Sequence, residues 1–99
     1  MSPYVASKFA IHGLTRVIAN EAAPYQVRVN SVHPSPANTR MMRSLEQAGG
    51  VTQDDIARTI PLGRYAESED VANMVLFLAS EKSSFVTGSQ FRVDGGMLS

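Results

Sequence analysis

Val27-Arg28-Val29-Asn30-Ser31-Val32-His33-Pro34-Ser35-Pro36-Ala37-Asn38-Thr39 decides how the rest of the chain is read. Residues 27–33 are valine-rich and bounded by Pro24 and Pro34, a pattern that predicts a strand. Residues 34–38 must then form a loop at that strand's carboxyl end. In an open parallel sheet the ligand crevice lies just outside such ends. A strand that delivers its loop to a crevice needs a helix before it and another after it, and both are legible.

Upstream, Ser2 can cap free amides and Pro3 fits a first helical turn, so a helix is predicted from there to about Ala23, with Pro24 ending it. Ile11, Leu14, Ile18 and Ala22 form one apolar stripe, and Ala6, Ala10, Leu14 and Val17 form a second beside it. An apolar arc this wide predicts packing on a sheet on one side and on another helix or subunit on the other. Downstream, Met41, Met42 and Leu45 suggest a short helix ending at Gly49 and Gly50, and Thr52 with Asp55 reads as the cap of a second. Two short helices between glycine and proline breaks make a flap over residues 40–60. Ser68, Glu69 and Asp70 open a last helix whose expected buried stripe is Val71, Met74, Val75, Leu78 and Ala79. Residues 90–93 read as a second strand, and Asp94, Gly95 and Gly96 as a turn that Asp94 ties down. Helix, strand, helices, strand is the order of an α/β unit with a parallel sheet.

The chemistry-bearing pair lies in the first helix. Tyr4 and Lys8 stand four residues apart, which on a helix places phenol and ammonium on one face. A neighbouring cation favours the phenolate and lowers the tyrosine pKa toward working pH. Such a pair can give a proton to a carbonyl oxygen or take one from an alcohol, while the lysine keeps donors for a ligand's hydroxyls. Other candidates read more plainly. His12 and His33 have no carboxylate at useful spacing and read as packing or surface residues rather than proton relays. Asp54 and Asp55 are explained by the start of a helix, and no oxygen-rich loop follows them to suggest a metal. Met41 and Met42 suit either flap packing or a substrate wall.

Nine basic residues balance nine acidic ones with no basic cluster, which argues against a nucleic-acid surface and against electrostatic membrane binding. No apolar run reaches membrane-spanning length. The absence of cysteine removes disulfides and thiolate metal sites and fits a reducing compartment, so a cytoplasmic location is expected. Two parallel strands alone bury too little for a stable sheet, so the 99 residues are expected to be part of a larger domain.

Four segments together resemble the short-chain dehydrogenase/reductase family, and the resemblance spans essentially the whole chain. They are Tyr4-x-x-x-Lys8; Val27-Arg28-Val29-Asn30-Ser31-Val32-x-Pro34 running into Thr39; Gly63-Arg64 followed by Glu69-Asp70-Val71-Ala72; and Val86-Thr87-Gly88 running into Val93-Asp94-Gly95-Gly96. The resemblance implies the carboxyl-terminal part of a Rossmann-like, doubly wound parallel sheet. In it, residues 1–23 would be the catalytic helix, 27–39 the strand and nicotinamide loop, 40–60 the substrate flap, and 68–96 the last helix, strand and turn. It implies an oxidoreductase that passes a hydride between NAD or NADP and a carbonyl or secondary alcohol. Tyr4 would be the general acid/base, and Lys8 would assist it and hold the cofactor ribose. Pro34, Ser35, Ala37 and Thr39 would line the nicotinamide and pyrophosphate, and a homodimer or tetramer would form. Ser35 stands where the family has glycine and Ala37 where it has valine or isoleucine, a mild change in nicotinamide seating. The family's glycine-rich cofactor loop and carbonyl-polarising serine have no counterpart in these residues, so the isolated chain is expected to be inactive. The alternative is a non-catalytic oligomerisation or interaction module.

Overall fold

A computed structural model describes residues 2–35, 49 and 53–97, with the side chains of Ser2, Tyr4 and Gln53 outside that description. Helix α1 (Ser2–Ala22) runs into a 3-10 turn (Ala23–Tyr25) that contains Pro24, and Gln26 closes it in the left-handed region. Strand β1 (Ser31–Pro34), helix α2 (Gln53–Ala57), helix α3 (Ser68–Ala79), a second 3-10 turn (Glu81–Ser83) and strand β2 (Gln90–Val93) follow. The strands pair in parallel, with Ser31 opposite Gln90, Val32 opposite Phe91, His33 opposite Arg92 and Pro34 opposite Val93. Helices and a parallel sheet make the class α/β. The first predicted flap helix falls outside the described residues; α2 is the second. Among the described residues no helix is long and apolar enough to cross a membrane.

The first strand is shorter than residues 27–33 suggest, and its physical cause is visible. Val29 N–H donates to Thr87 Oγ1 at 3.1 Å, and Gly88 N–H donates to Val29 O at 2.7 Å. Asn30 donates through Nδ2 to Val86 O at 3.0 Å and accepts from Ser89 N–H at 3.1 Å. Residues 27–30 are therefore tied to the 86–89 loop largely through side chains, and the regular ladder begins only at Ser31.

Arg28 does most of the fastening. Its Nη2 donates to Leu78 O at 2.9 Å and to Ser80 O at 3.2 Å, and its Nη1 donates to Ser83 Oγ at 3.0 Å and Val86 O at 3.2 Å. Carbonyls at a helix carboxyl end lack intrahelical partners, and a planar fork of donors satisfies several at once. Replacing Arg28→Ala removes four charge-assisted hydrogen bonds, leaving Asn30 on Val86 O and Ser83 Oγ on the Leu78 and Ser80 carbonyls, and should lower stability by about 2 kcal/mol, read as a lower urea midpoint at unchanged slope. Arg28→Lys should recover only part of the loss, because an ammonium cannot reproduce the fork. An unmoved midpoint in Arg28→Ala would remove the clamp from the account.

One expected buried stripe is corrected, that of α3, and for α1 the structure shows which side meets the sheet. On α1 the stripe of Ile11, Leu14, Val17 and Ile18 faces outward, with Leu14 60% exposed. The face that meets the sheet is Lys8, His12, Thr15, Ala19 and Ala22, of which Thr15 and Ala19 are buried. Small residues win there because the approach is close: a Cβ on Gly88 would lie 3.5 Å from the Ala19 Cβ. Thr15 satisfies its hydroxyl by donating to Ile11 O at 2.7 Å. On α3, Val71, Met74 and Leu78 are half-buried while Val75 and Ala79 are exposed. Among the described residues the buried apolar side chains are Ala19, Ile60, Tyr65 and Ala66 alone. The radius of gyration, 15.8 Å, exceeds the roughly 13 Å of a compact domain this long. The apolar faces of α1 and α3 thus outnumber the partners this chain offers them.

Candidate active site

Alternation along β1 puts Ser31 and His33 on one face of the sheet, and parallel register sets Arg92 beside His33 on that face. The sheet-facing stripe of α1 brings Lys8 and His12 over the same face. A cavity of about 630 Å³ lies between them. Lys8, His12, His33, Gln90, Arg92 and Asp94 are among its polar lining, and Val5, Phe9 and Met97 give it an apolar side. Pro34 and Ser35, at the carboxyl end of β1, close one side. Ser35 N–H donates to Val93 O at 3.1 Å, so the departing loop is pinned to the neighbouring strand for one more residue.

A second cavity of about 450 Å³ opens across the carboxyl ends of both strands, sharing Ser35, Arg92 and Asp94 with the first. Its far wall is the 60–66 loop, which rests on the turn after β2. There Leu62 N–H donates to Gly95 O at 3.0 Å, and a Cβ on Gly95 would lie 2.6 Å from buried Ile60 Cγ2. Gly95 also has φ of +61°, so glycine is required twice over. Arg64 Nη1 donates to Asp70 Oδ2 at 2.9 Å, and that guanidinium, with the Glu67 amide, holds the Asp70 carboxyl below its usual range. The same carboxylate completes a reciprocal cap with Glu67 at the start of α3.

The electrostatics of the larger cavity are positive. Burial pushes the His33 imidazole below its ordinary value, and the charges of Lys8 and His12 push it further. His33 Nε2 is 2.8 Å from Ser31 Oγ. His12 Nδ1 and Asp94 Oδ2 are buried with no hydrogen-bond partner. The other Asp94 oxygen accepts from Gly96 N–H at 3.0 Å, the turn tie expected from the sequence. Among the described residues no group of three or more His, Asp or Glu side chains gathers to suit a metal.

Of the residues singled out by sequence, Lys8, Pro34 and Ser35 converge on one cavity. Tyr4 lies in the first turn of α1, one turn before Lys8 along the backbone. Ala37, Thr39, Met41, Met42, Leu45 and Thr52 lie outside the described residues, as does the Tyr4 side chain. The sequence reading gave His12 and His33 no site role, yet both are half-buried and line the cavity. Strand alternation was the available signal for His33. For Arg92 and Asp94 the signal is the parallel register, which no single strand reveals.

A family model described as Enoyl-(Acyl carrier protein) reductase matches residues 1–98. The chain belongs to the short-chain dehydrogenase/reductase family. Among curated members of that family it is 43% identical over 93 residues to trans-4-hydroxycyclohexanecarboxylate dehydrogenase from Sinomonas cyclohexanicum, covering 94% of this chain and 33% of the relative. It is 50% identical over 92 residues to 3alpha-hydroxysteroid dehydrogenase from Mediterraneibacter gnavus, covering 93% of this chain and 36% of the relative. Among solved short-chain dehydrogenase-like structures, a blue fluorescent protein from a metagenomic library in complex with NADPH superposes with a TM-score of 0.82 at 36% identity. That match covers 97% of this chain and 37% of the other. The chain therefore spans about a third of the length of the curated relatives it matches.

Proposed function

We propose that this chain supplies the proton-transfer helix and the nicotinamide-side loop of an NAD- or NADP-dependent dehydrogenase acting on a secondary alcohol or ketone. The observation that carries this reading is the convergence of Lys8, Pro34 and Ser35 on one cavity at the carboxyl end of a parallel strand, in a chain of this family. The residues fit the nicotinamide end of a dinucleotide: Lys8 brings an ammonium to the cavity, and Pro34 and Ser35, the latter bonded to Val93 O, line it. The Ser35 amide already serves Val93 O, so polar contacts to a carboxamide fall to the loop beyond it, where Ala37 and Thr39 stand.

When bound, the nicotinamide supplies the hydride acceptor for an alcohol, or the donor for a ketone. Tyr4 moves the proton: its phenolate takes the hydroxyl proton in the oxidative direction, and its phenol returns it in the reductive one. Lys8 favours the phenolate through its charge and directs its donors to the ribose hydroxyls. The two relatives named above act, by their names, on a hydroxyl carried by a saturated ring, which supports a cyclic secondary alcohol as the substrate class. The adenosine half of the cofactor would be held by segments outside these residues.

A second reading rests on one feature. Phe9, Leu14 and Val17 on α1 and Leu76 on α3 are exposed, a face suited to another copy or to the rest of a domain. It is compatible with a homo-oligomeric enzyme, or with a module that binds without turnover. Formation of reduced nicotinamide from cyclohexanol by the enzyme containing this chain tests the choice. Turnover is the expected result. Failure to turn over or to bind either dinucleotide, with a stable mixed oligomer by size exclusion, would favour the module.

A further inference from the structure

We propose that Ile60 is a positioning residue: seated on the Gly95–Gly96 turn after β2, it fixes where α2 stands relative to the carboxyl ends of the strands. The seat itself is a matter of packing; that the positioned segment serves a substrate rests on the dehydrogenase reading. Ile60 is 2% exposed, the most deeply buried apolar side chain among the described residues. A Cβ on Gly95 would lie 2.6 Å from Ile60 Cγ2, and one on Gly96 would lie 3.2 Å from Pro61 Cβ. Both are inside the 3.5–4.0 Å or so at which carbon atoms attract. Leu62 N–H donates to Gly95 O at 3.0 Å. Three successive residues therefore rest on two successive glycines, and the approach is open only because neither glycine carries a side chain.

The seat is joined to α2 through successive backbone hydrogen bonds. Arg58 N–H donates to Asp54 O at 3.1 Å, Thr59 N–H to Ile56 O at 3.0 Å and Ile60 N–H to Ala57 O at 3.1 Å. Thr59 Oγ1 adds a second bond to Ile56 O at 2.7 Å. On the other side Gly63 N–H donates to Ile60 O at 2.7 Å, and Arg64 is held by Asp70 at the start of α3. A displacement of Ile60 is therefore passed to α2, because close-packed, hydrogen-bonded segments transmit strain.

Helix α2 belongs to the stretch 40–60 expected from the sequence to face the substrate, whereas the nicotinamide reading rests on Lys8, Pro34 and Ser35. Disturbing the seat should thus weaken the alcohol and spare the dinucleotide. Ile60 lines neither of the two cavities, so truncating it acts through position and removes no ligand contact there. Gly63 supplies the control for backbone strain. It has φ of +79° with nothing within 4 Å of an added Cβ, whereas Gly95 combines φ of +61° with the clash on Ile60.

The test is steady-state oxidation of cyclohexanol by the enzyme containing this chain, with exchange of the Leu62 amide hydrogen as a readout that needs no turnover. Ile60→Ala should raise KM for cyclohexanol about threefold, with kcat and the dinucleotide KM within about twofold, and should speed exchange at Leu62. Gly95→Ala should raise the same KM about tenfold and Gly63→Ala far less. Combining Gly95→Ala with Ile60→Ala should bring KM back to about the Ile60→Ala level, since the added Cβ then has room. Additive effects in the double variant, equal effects of Gly63→Ala and Gly95→Ala, or a dinucleotide KM that rises as much as the alcohol's would overturn the proposal. If Gly95→Ala does not fold, Ile60→Ala decides alone: an unmoved KM for cyclohexanol or an unmoved Leu62 exchange rate would overturn it. Faster Leu62 exchange in Ile60→Ala, in a parent protein that oxidises no alcohol, would contradict the dehydrogenase reading and leave the seat standing.

Discussion

Tyr4→Phe in the enzyme that carries this chain should lower kcat/KM for a secondary alcohol by about 10²–10⁴-fold, the usual share of general acid/base catalysis. The substitution removes one oxygen and keeps the ring, so α1 should remain folded and substrate affinity should change little. The loss should therefore appear mainly in kcat, because the proton is in flight only in the transition state. Phenylalanine can neither take the alcohol's proton nor return it. Near-unchanged turnover would remove Tyr4 from the mechanism, whatever became of the rest of the site.

Lys8→Met should be the next most damaging change, on the order of 10²-fold in kcat/KM near neutral pH. Methionine approximates the length of the aliphatic stem but brings no charge. Without the cation the phenol reverts toward its free value near 10, and each unit of that reversion costs about tenfold in reactive phenolate for alcohol oxidation. Loss of ribose contacts should add a rise in KM for the dinucleotide. The two effects separate experimentally: raising the pH should restore kcat toward the wild-type level while leaving the cofactor KM high. Full activity at neutral pH would show that Lys8 does neither job. Lys8 is half-buried on the sheet-facing side of α1 with His33 close by, so its charge acts where solvent screens it incompletely.

What could be read without coordinates follows from how local each signal is. The bounds of α1 and α3 were legible because proline and acidic-turn signals act within a few residues. Strand β2 was legible because its bounds are set by local turn chemistry. The length of β1 was not, since it depends on Thr87 accepting from Val29 N–H, 58 positions away, and on Asn30 bonding Val86 and Ser89, 56 and 59 positions away, to replace ladder bonds with side-chain ones. Which side of α1 meets the sheet was not legible, because its apolar arc fits a sheet on one side and another helix or subunit on the other. Hydrophobicity named Leu14 and Val17, but the sheet took the face with Thr15 and Ala19, where two backbones can come close. Lys8, Pro34 and Ser35 were named from sequence and share a cavity, whereas Arg92 and Asp94 reach it only through parallel register. Arg28 had no sequence signal beyond a charge inside a valine run, and its four acceptors lie fifty or more residues downstream.

The direct measurement is a titration of the Tyr4 phenol itself. The chain contains three tyrosines, so ring-labelled tyrosine with Tyr4→Phe as the assignment control isolates the signal. With Lys8 in place the phenol should ionise clearly below the free value of about 10, and Lys8→Met should return it upward. A phenol that titrates near 10 in both proteins would contradict the account.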